Sequence, residues 1–154
     1  MKEQLLEAWQ THNQMNLLLC NNIPDTGMGS SLSTKGGRTV YQQLAHLHNV
    51  RLQWLEVSAP DIARNCKVID KNAAYNKKEL TKALQDSAKA MAELFSKSWD
   101  AGGRIKSFKK GLLSFFAYFI SHESHHRGSI MLTLKQKGEK IPDSIKWGLW
   151  EWGK

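Results

Sequence analysis

The sequence predicts an all-α protein, a four-helix bundle with a short C-terminal tail rich in tryptophan. Four long segments repeat their apolar residues every three or four positions, which is the spacing of one helix face, and no convincing strand pattern is present. The 154 residues suffice for one domain that buries a large core without disulfide bonds. We therefore expect residues 1–154 to form a single domain, in an architecture whose facing helices commonly hold metals.

The first helix is predicted over residues 2–20, and Pro24 lies just after the sequence that ends it. Its inner face is apolar except for Asn13 and Asn16. Buried asparagines need hydrogen-bond partners, and bonds across the bundle are favoured over contact with a polar site in its middle. Residues 24–37 contain four glycines and a cluster of serines and threonines, which is typical of a loop.

The second helix is predicted over residues 39–57, before Pro60. Its apolar residues define an inner face centred near Leu47. His46 and His48 flank that centre, each about 100° away around the helix. Periodicity alone does not choose between them, and their different directions allow at most one to reach a shared site.

Residues 58–76 are predicted to be irregular, with a short helical turn near 61–65. The third helix is predicted over residues 77–101, because apolar residues recur there at helical spacing and charged residues occupy the remaining positions. Gly102 and Gly103 follow it directly and are typical of a helix C-terminus.

The fourth helix is predicted from Gly111 to about residue 137, and it carries three of the six histidines. His122 and His126 are four residues apart, so their imidazoles project side by side, as two ligands of one divalent metal do. His125 lies about 100° off that line. The face that carries the pair also contains Phe108, Leu112, Phe115, Phe119, Ile130 and Thr133.

The tail contains three of the six tryptophans, at positions 147, 150 and 152. So many exposed indoles would be unusual for a globular protein. We therefore expect the tail to pack on the bundle, with Trp147, Trp150 and Trp152 as packing residues and not as a substrate platform.

The net charge of +8 raises the question of a nucleic-acid partner. Most of the lysines and arginines lie where the polar face of a helix belongs, so a solvated surface is favoured over nucleic-acid binding. Cys20 and Cys66 lack CxxC spacing and no secretory signal precedes them, which favours a cytoplasmic location. No apolar run reaches the roughly 18 residues of a membrane helix, so no membrane association is expected.

The run TVYQQLAHLHNVRLQWLE on the second helix, followed by HESHHRG on the fourth, resembles the DinB family. That family includes the bacillithiol transferases and is similar to the mycothiol-dependent maleylpyruvate isomerases. The IPD and WGLWEWGK of the tail suit the same family. The resemblance implies one divalent metal inside a four-helix bundle, held by a histidine of the second helix and by the H-x-x-x-H pair of the fourth.

Carried onto this sequence, the implied metal ligands are His46, His122 and His126. The resemblance favours His46 over His48 because His46 lies seven residues after Thr39, in the TV-x-x-x-x-x-H run of the related transferases. Three imidazoles leave at least one open position on the ion, which is the arrangement of a catalytic site. Zn²⁺ is favoured, and Ni²⁺, Fe²⁺, Mn²⁺ and Cu²⁺ also suit three histidines.

Four further side chains are candidates for catalytic or supporting roles around the metal. His48 and His125 are favoured for orienting a ligand or moving a proton. Glu123 points about 100° away from His122, which argues against a direct partnership. Arg127 is expected to bond a neighbouring acid and not a carboxylate of the substrate.

The predicted function is that of a metal-dependent transferase or hydrolase, in which the ion activates a thiol or water toward a small-molecule substrate. The thiol would be one of low molecular weight, as in the related transferases. The alternative is a non-catalytic metal-binding protein of the DNA-damage or stress response. Pairing through helices in the family implies a homodimer.

Overall fold

The computed structural model describes residues 1–33 and 35–153, and it confirms the all-α class. Four long helices carry the architecture, and each begins and ends within two residues of its predicted bounds. In chain order the helices of the described ranges are α1 (Lys2–Asn22), α2 (Asp25–Met28), α3 (Val40–Ser58), α4 (Pro60–Ala63), α5 (Lys77–Asp100), α6 (Leu112–Gln136) and α7 (Asp143–Gly148). Helix α5 packs on both α1 and α3, and α6 packs on α1, α3 and α5. None of the helices in the described ranges is long and apolar enough to cross a membrane.

Helix α3 starts with a complete capping box. The Thr39 hydroxyl accepts a hydrogen bond from the Gln42 backbone at 3.2 Å, and the Gln42 side chain accepts one from the Thr39 backbone at 3.1 Å. At the start of α6, Gly111 has φ +83°, and a Cβ there would lie 3.1 Å from the Gly103 carbonyl. These two sites fix where the histidine-bearing helices begin.

Two short helices lie where the sequence predicts irregular structure. The expected loop at 24–37 contains α2, whose Met28 is buried. A Cβ on Gly27 would lie 2.7 Å from the Leu134 side chain, so this segment packs closely on α6. Helix α4 confirms the short helical turn that was predicted after the second helix.

The tail packs on the bundle as expected, but the expectation that its tryptophans are packing residues is wrong for most of their surface. Helix α7 buries Ile145 and approaches Leu18 of α1 through Gly148, but Trp147 and Trp150 are 70% and 81% exposed. Trp152 is half exposed, with its ring centroid 6.3 Å from that of His12. The physical reason is that so short a helix has only one inner face, and Ile145 occupies it.

A layer of polar side chains divides the core into two apolar clusters. One cluster joins the C-terminal halves of α1 and α6 to the N-terminal halves of α3 and α5. The other joins the opposite halves and contains most of the aromatic rings. Between them lie the buried polar residues His12, Asn13, Asn16, Arg51, Ser87, Glu123 and Arg127. The histidines of α3 and α6 lie at the same level of the bundle.

Candidate metal centre

Three histidines from two helices converge at one side of the polar layer. His46 of α3 and His122 and His126 of α6 each offer a ring nitrogen, and these three atoms lie within 4.8 Å of one another. The ring centroids are 4.8 to 5.3 Å apart. Zn–N bonds are about 2.0–2.1 Å long, so modest rotations of the side chains would bring the three nitrogens onto one ion. The group can therefore hold a divalent metal.

The three rings are held in the neutral form that a metal needs. Burial lowers the pKa of His46 to about 4, and the Arg38 charge acts in the same direction. Burial and the neighbouring His122 lower the pKa of His126 to about 4. Burial also lowers the pKa of His122. At neutral pH all three imidazoles thus keep a lone pair free for coordination.

Hydrogen bonding at the group also fits a metal. The Nδ1–H of His126 donates to Oε1 of Gln43 at 3.3 Å, which fixes that ring and leaves its Nε2 available. The Nδ1 of His122 is buried and has no hydrogen-bond partner among the described residues. An unpaired buried nitrogen is costly, and coordination or a water bound at the site would satisfy it. Gln43 was missed in the sequence, although it lies one turn before His46 on α3.

A cavity of about 250 Å³ opens beside His126. Gln43 and His126 line it, as do Arg38 and residues of the loop before α3. His125 is exposed and also lines it, with its ring centroid 5.2 Å from that of His126. The structure therefore places His125 at the cavity, beside His126.

His48 lies elsewhere. It is 1% exposed, and its Nε2–H donates to the Lys67 carbonyl at 2.7 Å, so it ties α3 to the segment that precedes α5. Burial is the main cause of its lowered pKa. His48 is outside the three-histidine group. Periodicity left His46 and His48 equivalent, and the structure places His46 with the pair on α6.

Glu123 proves to be the centre of the buried polar layer, and it makes no bond to His122. Its carboxylate is fully buried and accepts four hydrogen bonds. Arg51 donates two of them in a fork, each at 2.7 Å, Asn16 donates one at 2.6 Å, and His12 donates one at 2.9 Å. Burial alone would raise the pKa of Glu123, but Arg51 and His12 outweigh it and hold that pKa well below its usual range.

Arg51 was not recognised from the sequence, although it lies one turn after Leu47 on the inner face of α3. Its side chain is fully buried, and its Nη1 donates to Asn13, to the Leu84 carbonyl and to Ser87 at 2.9 to 3.3 Å. Its guanidinium carbon lies 4.8 Å from the centre of the Trp9 ring. The bond to Asn13 is one of the cross-bundle bonds that the sequence favoured.

Arg127 completes the layer on the side of α6. It donates to Asn16 Oδ1 and to Ser124 Oγ, both at 2.8 Å, and to His12 Nδ1 at 3.3 Å. Since His12 accepts at Nδ1, its proton lies on Nε2, where it is donated to Glu123. The expected bond from Arg127 to a neighbouring acid is not direct: no described carboxylate accepts from Arg127, and Asn16 and His12, which donate to Glu123, lie between the two charges.

Comparison with known families shows which family the chain belongs to. The sequence model of the DinB family matches residues 1–146. The chain belongs to the DinB family. The resemblance seen in the histidine runs of α3 and α6 is thereby confirmed.

A solved structure shares the fold of this DinB-family chain. The crystal structure of a DinB-like protein from Bacillus cereus ATCC 10987, at 2.01 Å resolution, superposes with a TM-score of 0.63. The match covers 91% of this chain and 95% of that one, at 17% sequence identity. No curated protein matches the sequence. The comparisons thus establish family and fold, and the chemistry rests on the site.

Proposed function

We propose that this protein is a metal-dependent enzyme that transfers a thiol to, or hydrolyses, a small-molecule substrate. The observation that carries the proposal is the convergence of His46, His122 and His126 beside a cavity that reaches His126. A divalent ion with an open position supplies a lowered pKa for the water or thiol that it binds. A site that served only to stabilise the fold would not need an opening beside a ligand.

The residues around the group have separable tasks. Gln43 orients the His126 ring through its Nδ1–H. Glu123, Arg51 and Asn16 fix the rotation of α6, which keeps the histidine pair directed at α3. His125 is exposed in the cavity wall, where it can exchange a proton between the substrate and solvent.

Zn²⁺ is the metal we favour. Three neutral imidazoles are a usual ligand set for a catalytic zinc ion. Ni²⁺, Fe²⁺, Mn²⁺ and Cu²⁺ also accept imidazole, and selection among them depends on geometry and on supply.

Metal content tests the proposal directly. Protein purified without an affinity tag is expected to carry close to one equivalent of metal by mass spectrometry. His46→Ala and His126→Ala should each bind the metal at least about tenfold more weakly, since removing one of three histidines leaves only two protein ligands for the ion. The controls are His125→Ala, on the same helix but outside the group, and His48→Gln, which keeps a donor for the Lys67 carbonyl.

The loaded protein should then be assayed for thiol transfer to small electrophiles and for hydrolysis of small esters and amides. Turnover that disappears with the metal and returns on reloading supports an enzyme. Full loading without turnover would favour the alternative, a non-catalytic metal-binding protein. A wild-type protein that neither carries nor takes up metal would overturn the proposal.

We also propose a homodimer. The exposed positions of α6 between Leu113 and Leu132 carry no charged side chain, in a protein whose other long helices are charged on their outer faces. Leu113 and Leu132 are 62% and 49% exposed. An uncharged helix face of this length suits packing against a second copy.

A further inference from the structure

The described residues that line the cavity beside His126 carry a cation but no acid. Arg38 lines it, together with several hydroxyl groups, and none of these described residues is Asp or Glu. Arg38 is exposed, and no carboxylate among the described residues pairs with its guanidinium. A guanidinium that has no carboxylate partner and lines a polar concavity is available to bind an anion.

Gln43 supplies a second donor to the same space. Its Oε1 is occupied by the His126 Nδ1–H, so the two N–H groups of its Nε2 remain. No described residue accepts from them, and the side chain is 5% exposed while lining the cavity. Gln43 therefore bonds His126 of the three-histidine group through its Oε1, and its Nε2 remains a free donor on the cavity side.

Arg38 lies beside the three-histidine group. It lines the same cavity as His126, which makes up that group together with His46 and His122. An anion held by Arg38 would therefore lie beside the ion that these histidines hold.

We propose that this cavity binds a small oxyanion, the carboxylate or phosphate group of the substrate, through the Arg38 guanidinium and the Gln43 Nε2 amide. The inference rests on the proposed function, because it assigns the substrate of that same metal site to the class of small anions. The guanidinium fork matches both carboxylate and phosphate oxygens. The volume of about 250 Å³ restricts the ligand to a small molecule.

Titrations of the whole protein test the site, in metal-free and in zinc-loaded form. The probes are acetate, propionate and inorganic phosphate, with acetamide as a neutral match for acetate. Both anion types should bind saturably in both forms and shift the backbone amide signals of Arg38, Gln43 and Ser129, while acetamide should not. The tighter of carboxylate and phosphate identifies the group that the site takes.

Two variants separate a specific site from general attraction to a basic protein. Arg38→Gln should weaken anion binding at least about tenfold, since it removes a charge-assisted bond. Lys35→Gln removes one charge from the same exposed loop but lies outside the cavity, and it should change binding by less than about twofold. Equal weakening in the two variants would overturn the inference.

Binding seen only in the zinc-loaded form and unchanged by Arg38→Gln would also overturn it, since the anion would then be a ligand of the ion. If the protein binds anions through Arg38 but binds no metal, the anion site stands and the proposed metal enzyme is refuted. If it binds metal but shows no anion binding that depends on Arg38, this inference alone is refuted.

Discussion

Glu123 carries the negative charge on which the buried polar layer depends. Two arginines, Arg51 and Arg127, lie in that layer with it, and burial keeps His12 neutral by lowering its pKa. The helical wheel correctly directed Glu123 away from His122. The wheel did not reveal that Glu123 is buried, because it does not show that α6 is covered on the side facing α1 as well as on the side facing α3. The sequence therefore predicted the direction of this carboxylate and missed its importance.

We predict that Glu123→Gln destabilises the fold by about 3–5 kcal/mol, because Arg51 is left buried without its counter-charge. Urea unfolding followed by circular dichroism measures the change. The control is Glu93→Gln, which removes an exposed partner of Lys97 and should cost less than about 1 kcal/mol. Similar losses in both variants would show that the buried carboxylate contributes no more than a surface one.

The first turn of helix α3 positions two residues of the proposed metal site. The capping box at Thr39 and Gln42 precedes Gln43 and His46, so fraying at this end would displace a proposed metal ligand and the side chain that bonds His126. The long helices were predictable to within two residues because each has several turns of apolar periodicity and clear terminal signals. Helices α2 and α7 were not, since four and six residues are too few to establish a period.

We predict that Thr39→Ala costs about 0.5–2 kcal/mol in unfolding free energy, the usual range for a lost N-cap. It should also weaken metal retention in competition with a chelator, since His46 is two turns from the cap. Thr39→Ser should keep most of the unfolding free energy and of the metal retention, because serine caps equally well. If Thr39→Ala lowers the stability but leaves metal retention unchanged, the cap does not help to position the metal site.

At the scale of the whole molecule, the polar layer and the three-histidine group lie together between the two apolar clusters of the bundle. The sequence indicated part of this arrangement, through the histidines and through Asn13 and Asn16. The residues that the sequence did not reveal are His12 on α1 and Gln43 and Arg51 on α3. They bond Glu123 and His126 on α6, and position along a helix does not show which side chains of different helices meet. That pairing depends on how the helices are rotated and aligned, which periodicity does not determine.

We predict that the metal-free protein loses stability as the pH falls from about 6.5 towards 4. The pKa of His46 and of His126 is about 4 in the folded state against 6.5 when unfolded, so the unfolded chain binds more protons in this window. Above pH 6.5 both states are neutral at these residues, and they contribute no pH dependence.

Urea midpoints at pH 7.5, 6 and 5 measure this dependence. His12 and His48 are buried with lowered pKa values and act in the same direction, so some dependence should persist without the metal group. The double variant His46→Gln with His126→Gln should therefore show a shallower decline than wild type. Identical declines would assign the whole effect to the other groups.

The exposed tryptophans of the tail have a consequence for spectroscopy. Trp147 and Trp150 are in water, whereas Trp9 is buried beneath Arg51 and donates its indole N–H to the Ala88 carbonyl. The native emission spectrum should therefore already contain a red-shifted component that iodide quenches easily. Unfolding will change that component little, so fluorescence will under-report loss of the bundle. Replacing Trp147 and Trp150 with phenylalanine would make emission a reporter of the core.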